Sequence, residues 1–278
     1  MEVRDRFVVV TGASSGLGRA IAWRLAVDEG AHVILAARRI ERLESLAAAI
    51  HAAGGTASFV EVDLAAAGAT AMLVERAQQL ASGRLFGLVN NAGVTHYGAV
   101  SSMDPSAVRG ILYLNAEATI ELTILFLRAV AGQSERRAAP GTADAAVLTV
   151  TSVAAYVPLP YQAVYAASKH ALNAFFPSMA EELRVAARSG GPRVVMTVFA
   201  PGPIATEMME RSGFNGPPAG SSVVARPEQV ARQAVEAWKR ERRSFVPGIA
   251  NRIVAAAGRI LPWGLVGRVA ERLYRPPG

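Results

Sequence analysis

The 278-residue chain has no cysteine, only two lysines and only four histidines. Without cysteine there is no disulfide framework, no thiolate nucleophile and no cysteine-ligated metal. The histidines, His32, His51, His96 and His170, lack metal-ligand spacing, so no metal is expected. Charged residues make up 18% of the chain against 51% hydrophobic, which excludes a disordered, solvating polypeptide. The net charge of +7 comes almost entirely from arginine. These arginines are scattered, without the aromatic interleaving or fold motifs of nucleic-acid readers, so no nucleic-acid partner is expected. Charged Glu2, Arg4, Asp5 and Arg6 lead straight into an apolar run, which does not read as a signal peptide and predicts a cytoplasmic protein. The length suits one α/β domain better than two small ones.

The scarcity of lysine makes Lys169 informative, because it follows Tyr165 by four residues in Tyr165-Ala166-Ala167-Ser168-Lys169. In a helix that spacing puts both side chains on one face. A fixed ammonium favours the phenolate, so Lys169 is expected to lower the Tyr165 pKa toward the range of acid–base work. Chance spacing is the competing explanation, and the pair needs corroboration elsewhere.

Organisation along the chain supplies some. Phe7-Val8-Val9-Val10 ends in Thr11-Gly12, and Gly16-Leu17-Gly18 then opens a stretch of helical periodicity. A second run at 32–36 is followed by a helical pattern over 40–53. Further strands are predicted at 57–62, 85–89, 146–150, 194–199 and 244–246, and further helices at 67–82, 106–131, 161–188 and 227–240. Near-continuous apolar strands alternating with helices predict a doubly wound α/β fold, with a parallel sheet of about seven strands covered on both faces. Residues 133–143 read as a surface loop. The breaker-rich stretch 213–222 reads either as a mobile lid or as a plain connector.

The chemistry-bearing motifs sit at strand ends. Gly12, Ser14, Ser15, Gly16, Leu17 and Gly18 form a strand–turn–helix junction whose glycines allow close backbone approach to a pyrophosphate at a helix N-terminus; a tight turn needed only for packing is the alternative. After the second strand, where an acid would select NAD, stand Arg38 and Arg39. Guanidinium groups there predict NADP(H) over NAD(H), the alternative being a solvated basic turn. Asp63 follows the third strand, within reach of an adenine amino group or as a helix cap. Asn90, Asn91, Ala92 and Gly93 end the fourth strand, either tying neighbouring strands or lying close to a ligand. Asn115 is polar within an apolar stretch and should be hydrogen-bonded. Ser152 closes the fifth strand, at the carboxyl end where open α/β sheets put their sites.

Together with Pro201-Gly202 and Thr206, this ordered set closely resembles the short-chain dehydrogenases/reductases over residues from about 6 to 247. The resemblance implies NADP(H)-dependent hydride transfer to a carbonyl or from an alcohol. It implies Tyr165 as general acid or base, and Lys169 lowering its pKa and binding the nicotinamide ribose. Ser152 would polarise the carbonyl and Asn115 would support a proton relay. It also implies Pro201, Gly202, Ile204 and Thr206 bordering the nicotinamide, and pairing of subunits into a homodimer or homotetramer through the helices near 106–131 and 161–188. A cofactor-sensing protein that keeps the fold without turnover is the alternative.

The expected substrate is a hydrophobic ketone, aldehyde or secondary alcohol, because Val153, Ala154, Val157, Leu159, Tyr161, Met208, Met209 and Phe214 are the candidate pocket wall, with Tyr156 beside it. The catalytic domain is expected over 1–248, followed by two short amphipathic helices in 249–278. Interior arginines and Pro262 argue against a span there. Packing on this or a second subunit is the favoured placement, a cleft lid is another, and contact with an anionic membrane is not favoured.

Overall fold

The computed structural model describes residues 1–133, 142–212 and 224–276. Each of the seven expected strands is present, with ends shifted by at most one residue: β1 Phe7–Thr11, β2 His32–Ala37, β3 Thr56–Glu61, β4 Leu85–Asn90, β5 Ala145–Val150, β6 Val194–Phe199 and β7 Ser244–Phe245. They pair in parallel in the order β3-β2-β1-β4-β5-β6-β7. The order reverses between β1 and β4, and a crevice opens there at the carboxyl ends of the strands.

Strand side chains alternate between two cores. Val8, Val10, Val33, Leu35 and Leu148 pack against α1 (Gly16–Trp23), α2 (Ile40–Ala52) and α8 (Pro227–Lys239). Val9, Ile34, Leu88, Val147 and Val198 pack against α3 (Ala69–Leu80), α5 (Ala118–Ala131) and α6 (Ala163–Arg188). Every residue of β4 and β5 is buried, as strands covered on both faces require.

The helix expected over 106–131 is divided. Asp104 accepts from the Ser106 amide at 2.7 Å and Pro105 starts α4 (Pro105–Leu112). A π turn over Tyr113–Glu117 then joins it to α5. Pro105–Ala131 is long and apolar enough to cross a membrane by length and composition, but here it packs along the sheet with 39% of its most apolar window buried.

Three further α-helices lie in the described chain: α7 (Glu207–Arg211), α9 (Ile249–Ile260) and α10 (Trp263–Tyr274). The two expected tail helices are therefore present. They pack on the rest of the chain through a small core of Ala255 and Val266 with Tyr156, Val157 and Ala200. Contact is closest at Gly258, where a Cβ would lie 1.9 Å from the Tyr156 carbonyl oxygen. The stretch 213–222, with Phe214, lies outside the described residues, as does most of 133–143.

Candidate active site

The turn after β1 is built around Thr11. Its hydroxyl donates to the Val89 carbonyl at 3.1 Å and accepts from the amides of Asn91 and Ala92 at 3.0 and 3.1 Å. The Asn91 amide returns a bond to the Thr11 carbonyl at 3.0 Å, so β1 and β4 are fastened together where the sheet opens. Gly12 has φ of +67°, and a Cβ on it would come 2.9 Å from the Asn91 side chain. At Gly18 a Cβ would fall 2.4 Å from the Gly12 carbonyl oxygen, so only glycine lets α1 approach the turn. Leu17 sends its side chain into the core. Asn90 is buried and donates to Thr123 at 2.8 Å and Thr149 at 3.4 Å, which makes its side chain a tie from β4 to β5 and α5.

Of the two arginines after β2, Arg39 is the one held at the glycine turn. Its fork donates to Ser14 Oγ at 3.0 Å and Ser15 Oγ at 2.9 Å, and to Glu207 Oε2 at 2.7 Å. Arg42 and Arg211 also pair with Glu207. Hydrogen bonds from Arg39 and Arg42 hold the Glu207 carboxyl well below its usual range, at about 2. Nothing in the sequence singled out Glu207. Arg38 is more exposed and stands 3.9 Å from Asp63, whose other oxygen accepts from the Ala65 amide at 3.0 Å.

The candidate catalytic residues converge at the ends of β4, β5 and β6. Asn115 is fully buried in the π turn. Its Oδ1 accepts from the Val94 amide, and its Nδ2 donates to the Val94 carbonyl at 2.8 Å and to Ser168 Oγ at 3.0 Å. The widened turn is what brings an amide from the middle of a long helix to this strand end. At Gly93 a Cβ would sit 3.0 Å from Asn115 Oδ1 and 3.6 Å from Lys169 Nζ, so Ala92-Gly93 passes directly beside both.

Ser152 caps a 3₁₀ turn over Val153–Ala155, its Oγ accepting from the Ala154 amide at 3.1 Å. The Val153 amide donates to the Pro201 carbonyl at 2.9 Å, which fastens Pro201-Gly202 beside Ser152. Ile204 bridges to Ala225, and Thr206 starts α7 with its methyl against Gly16. Gly202 lies under Asn251 of α9.

The Ser152 hydroxyl lies beside that of Tyr165, and Lys169 Nζ lies 5.7 Å from the Tyr165 ring centre while donating to the Val150 carbonyl at 3.3 Å. The expected lowering of the tyrosine pKa is corrected here. Burial pushes the Tyr165 phenol above its ordinary value, the neighbouring Ser152 hydroxyl pulls it down, and Tyr274 adds to the rise. Burial also lowers Lys169 to about 8. Desolvation of both groups outweighs their proximity.

The tail supplies residues that the sequence did not flag. Tyr274 packs with Tyr165, Ala154 and Leu159. Tyr97 donates from its hydroxyl to the Tyr274 carbonyl at 2.8 Å, and Tyr161 to Glu271 at 2.9 Å. Thus α10 is latched over the Tyr165 side of the crevice by two phenols. Val157 and Tyr156 belong instead to the core beneath the tail, with Arg259 over the Tyr156 ring, so neither is pocket wall.

Comparison with known proteins places this geometry in context. Residues 6–214 match the family model described as short chain dehydrogenase. An uncharacterized oxidoreductase of Methylorubrum extorquens is 33% identical over 225 residues, covering 81% of this chain and 83% of that protein. Dehydrogenase/reductase SDR family member 7B of Bos taurus is 32% identical over 212 residues, 74% of this chain but only 60% of that longer protein. Among solved structures, a short-chain dehydrogenase from Sphingobium yanoikuyae in complex with NADPH superposes with a TM-score of 0.73 at 25% identity, covering 91% of this chain and 93% of its own.

Proposed function

The chain belongs to the short-chain dehydrogenase/reductase family of oxidoreductases, and on that premise we propose that it reduces hydrophobic ketones or aldehydes, or oxidises the matching secondary alcohols, with NADP(H). The observation that carries this reading is the convergence of Ser152, Tyr165 and Lys169 at one strand end, with the Ser152 hydroxyl near enough to Tyr165 to pull its pKa down and Lys169 Nζ 5.7 Å from its ring centre.

The residues present fit a dinucleotide bearing a 2′-phosphate. The Arg39 fork, set against Ser14 and Ser15, already holds one anion, the Glu207 carboxylate, so its donors are arranged for a negatively charged group. Gly12, Gly16, Gly18 and the first turn of α1 would take the pyrophosphate, Asp63 the adenine side, and Ala92, Gly93, Pro201, Gly202, Ile204 and Thr206 the nicotinamide end. When bound, the nicotinamide supplies or accepts the hydride. Ser152 donates to the substrate oxygen and holds it beside Tyr165, which gives or takes the proton there. Lys169 stabilises the negative charge left on the Tyr165 oxygen when its proton is given up, and binds ribose hydroxyls. Asn115 holds the Val94 backbone and Ser168 in place beside Lys169, the position from which a proton relay to solvent would start.

Apolar Ala154 and Leu159 around Tyr165, closed over by Tyr274, favour a hydrophobic substrate. The outward face of α4 and α5 carries Leu112, Tyr113, Ile120 and Ile124 in a surface hollow, which suits pairing with a second subunit. A cytoplasmic location accords with this reading.

A panel of apolar ketones, aldehydes and secondary alcohols, followed by NADPH absorbance, tests the reaction; failure of every compound would shift the reading to a cofactor-sensing protein without turnover. A second expectation concerns the cofactor. kcat/KM should be higher with NADPH than with NADH, and Arg39→Ala should cost the NADPH reaction about 10- to 100-fold while sparing the NADH reaction, as loss of a charge-assisted fork implies. Equal losses with both cofactors would remove Arg39 from the phosphate role.

A further inference from the structure

The sequence alone favoured burial of the tail against protein, but its structure leaves a large apolar surface outside. In α9, Ile249, Ile253 and Ile260 are 76%, 64% and 79% exposed, and at those spacings they form one stripe. In α10, Leu265, Val269 and Leu273 form another, at 45%, 52% and 42%. The stripes meet at the hairpin apex. There all of Arg259-Ile260-Leu261-Pro262-Trp263-Gly264-Leu265 is exposed, with Trp263 at 57%. The apex is nonetheless held in place by Trp263, whose indole donates to the Gly258 carbonyl at 3.3 Å and whose ring lies edge-on to His170 at 5.5 Å.

Charge decides what covers this surface. The tail carries five arginines, Arg252, Arg259, Arg268, Arg272 and Arg275, against one carboxylate, Glu271. Arg268 and Arg272 are exposed and run beside the Leu265 and Val269 stripe, three residues along the helix from it. With Arg275 and Pro160 they border a surface hollow of about 510 Å³. A second copy of the chain would bring an equally basic, carboxylate-poor face to the same place, and two such faces repel. An anionic bilayer offers both complements at once, with acyl chains for the apolar apex and phosphates for the arginines, and it accommodates an indole at the interface.

We propose that the α9–α10 hairpin is a monotopic membrane-docking element, seating Ile260, Leu261, Trp263 and Leu265 at the headgroup–acyl boundary of an anionic bilayer with Arg268 and Arg272 on the lipid phosphates. Turnover is not needed for this docking, so it stands or falls separately from the reaction.

Cosedimentation of the full chain with vesicles tests it, using phosphatidylcholine alone and a phosphatidylcholine–phosphatidylglycerol mixture, with size-exclusion chromatography in parallel. Binding is expected to the mixed vesicles, much weaker to phosphatidylcholine alone, and reduced by salt. Ile260→Asp/Leu265→Asp should weaken binding at least about tenfold, as should Arg268→Glu/Arg272→Glu, since each step removes apolar insertion or surface attraction. These positions are exposed, so retained NADPH binding and an unchanged circular dichroism spectrum certify the fold. No binding to the mixed vesicles overturns the proposal. So does an oligomer that the Asp variants dissociate, because that result gives the face to a second copy.

Discussion

Lys169→Met should fold more stably than the natural chain at neutral pH and lose nearly all turnover. The Lys169 ammonium is buried, and burial lowers its pKa from 10.5 to about 8. A lysine whose folded pKa lies below its unfolded value binds fewer protons in the folded state between those two limits. Stability therefore rises as pH climbs from about 8 to 10.5, and the full penalty is present below 8. The shift corresponds to a penalty on the order of 3 kcal/mol. Methionine removes it and forfeits one hydrogen bond, to the Val150 carbonyl, worth about 1 kcal/mol. The expected gain is thus about 2 kcal/mol at pH 7, vanishing near pH 10 and turning into a loss of about 1 kcal/mol once the pH passes the unfolded lysine value. Urea unfolding of both proteins at pH 7 and pH 10 checks this. A destabilised Met variant at pH 7 would show that Lys169 earns its place structurally. A stabilised, inactive one is the pattern of a residue kept at a cost for chemistry.

The sheet could be read from the chain because its signals are local. Most strands are short apolar runs bounded by glycine, proline or polar residues, a signal that refers to nothing distant. The glycine turn, Ser152 and Tyr165 with Lys169 were legible for the same reason, since their spacing along one element carries the information. The π turn at Tyr113–Glu117 was not legible: a helix over 106–131 and the divided one observed have the same apolar pattern, and the widening follows from where the Asn115 amide finds its partners.

What escaped altogether depends on contacts between remote segments. Glu207 reaches Arg39 and Arg42 across the mouth of the sheet, and Tyr274 reaches Tyr165 from the far end of the chain. The tail's amphipathic helices were foreseen, but periodicity shows only that two faces differ, not which of two apolar edges is covered. The direction of the Tyr165 shift was misjudged for a related reason. An i, i+4 lysine is visible in sequence, while the desolvation that overrides it is a property of the packed site.

Tyr165→Phe isolates the proton in the proposed reaction. The hydroxyl is the only group removed, and the ring keeps its packing with Ala154, Leu159 and Tyr274 beside Ser152. General acid–base catalysis contributes about 10²- to 10⁴-fold, so kcat should fall by roughly 10³-fold with NADPH affinity nearly unchanged. Because burial raises the phenol, Tyr165 stays protonated through neutral pH, which suits a proton donor in carbonyl reduction. Reduction by the natural enzyme should then be flat through neutrality and decline above about 8, where Lys169 loses its charge. The Phe variant should show residual turnover without that alkaline decline, since no phenol remains for the ammonium to support. Ser152→Ala should lose less, because Tyr165 still reaches the substrate oxygen, and the double variant should be little worse than Tyr165→Phe alone if the two hydroxyls act as one unit. Steady-state rates for the four proteins across pH 6–10, with fluorescence titration of NADPH at each point, decide it. A Phe variant that keeps wild-type kcat would move the proton donor away from Tyr165, with Tyr274 the next hydroxyl to examine.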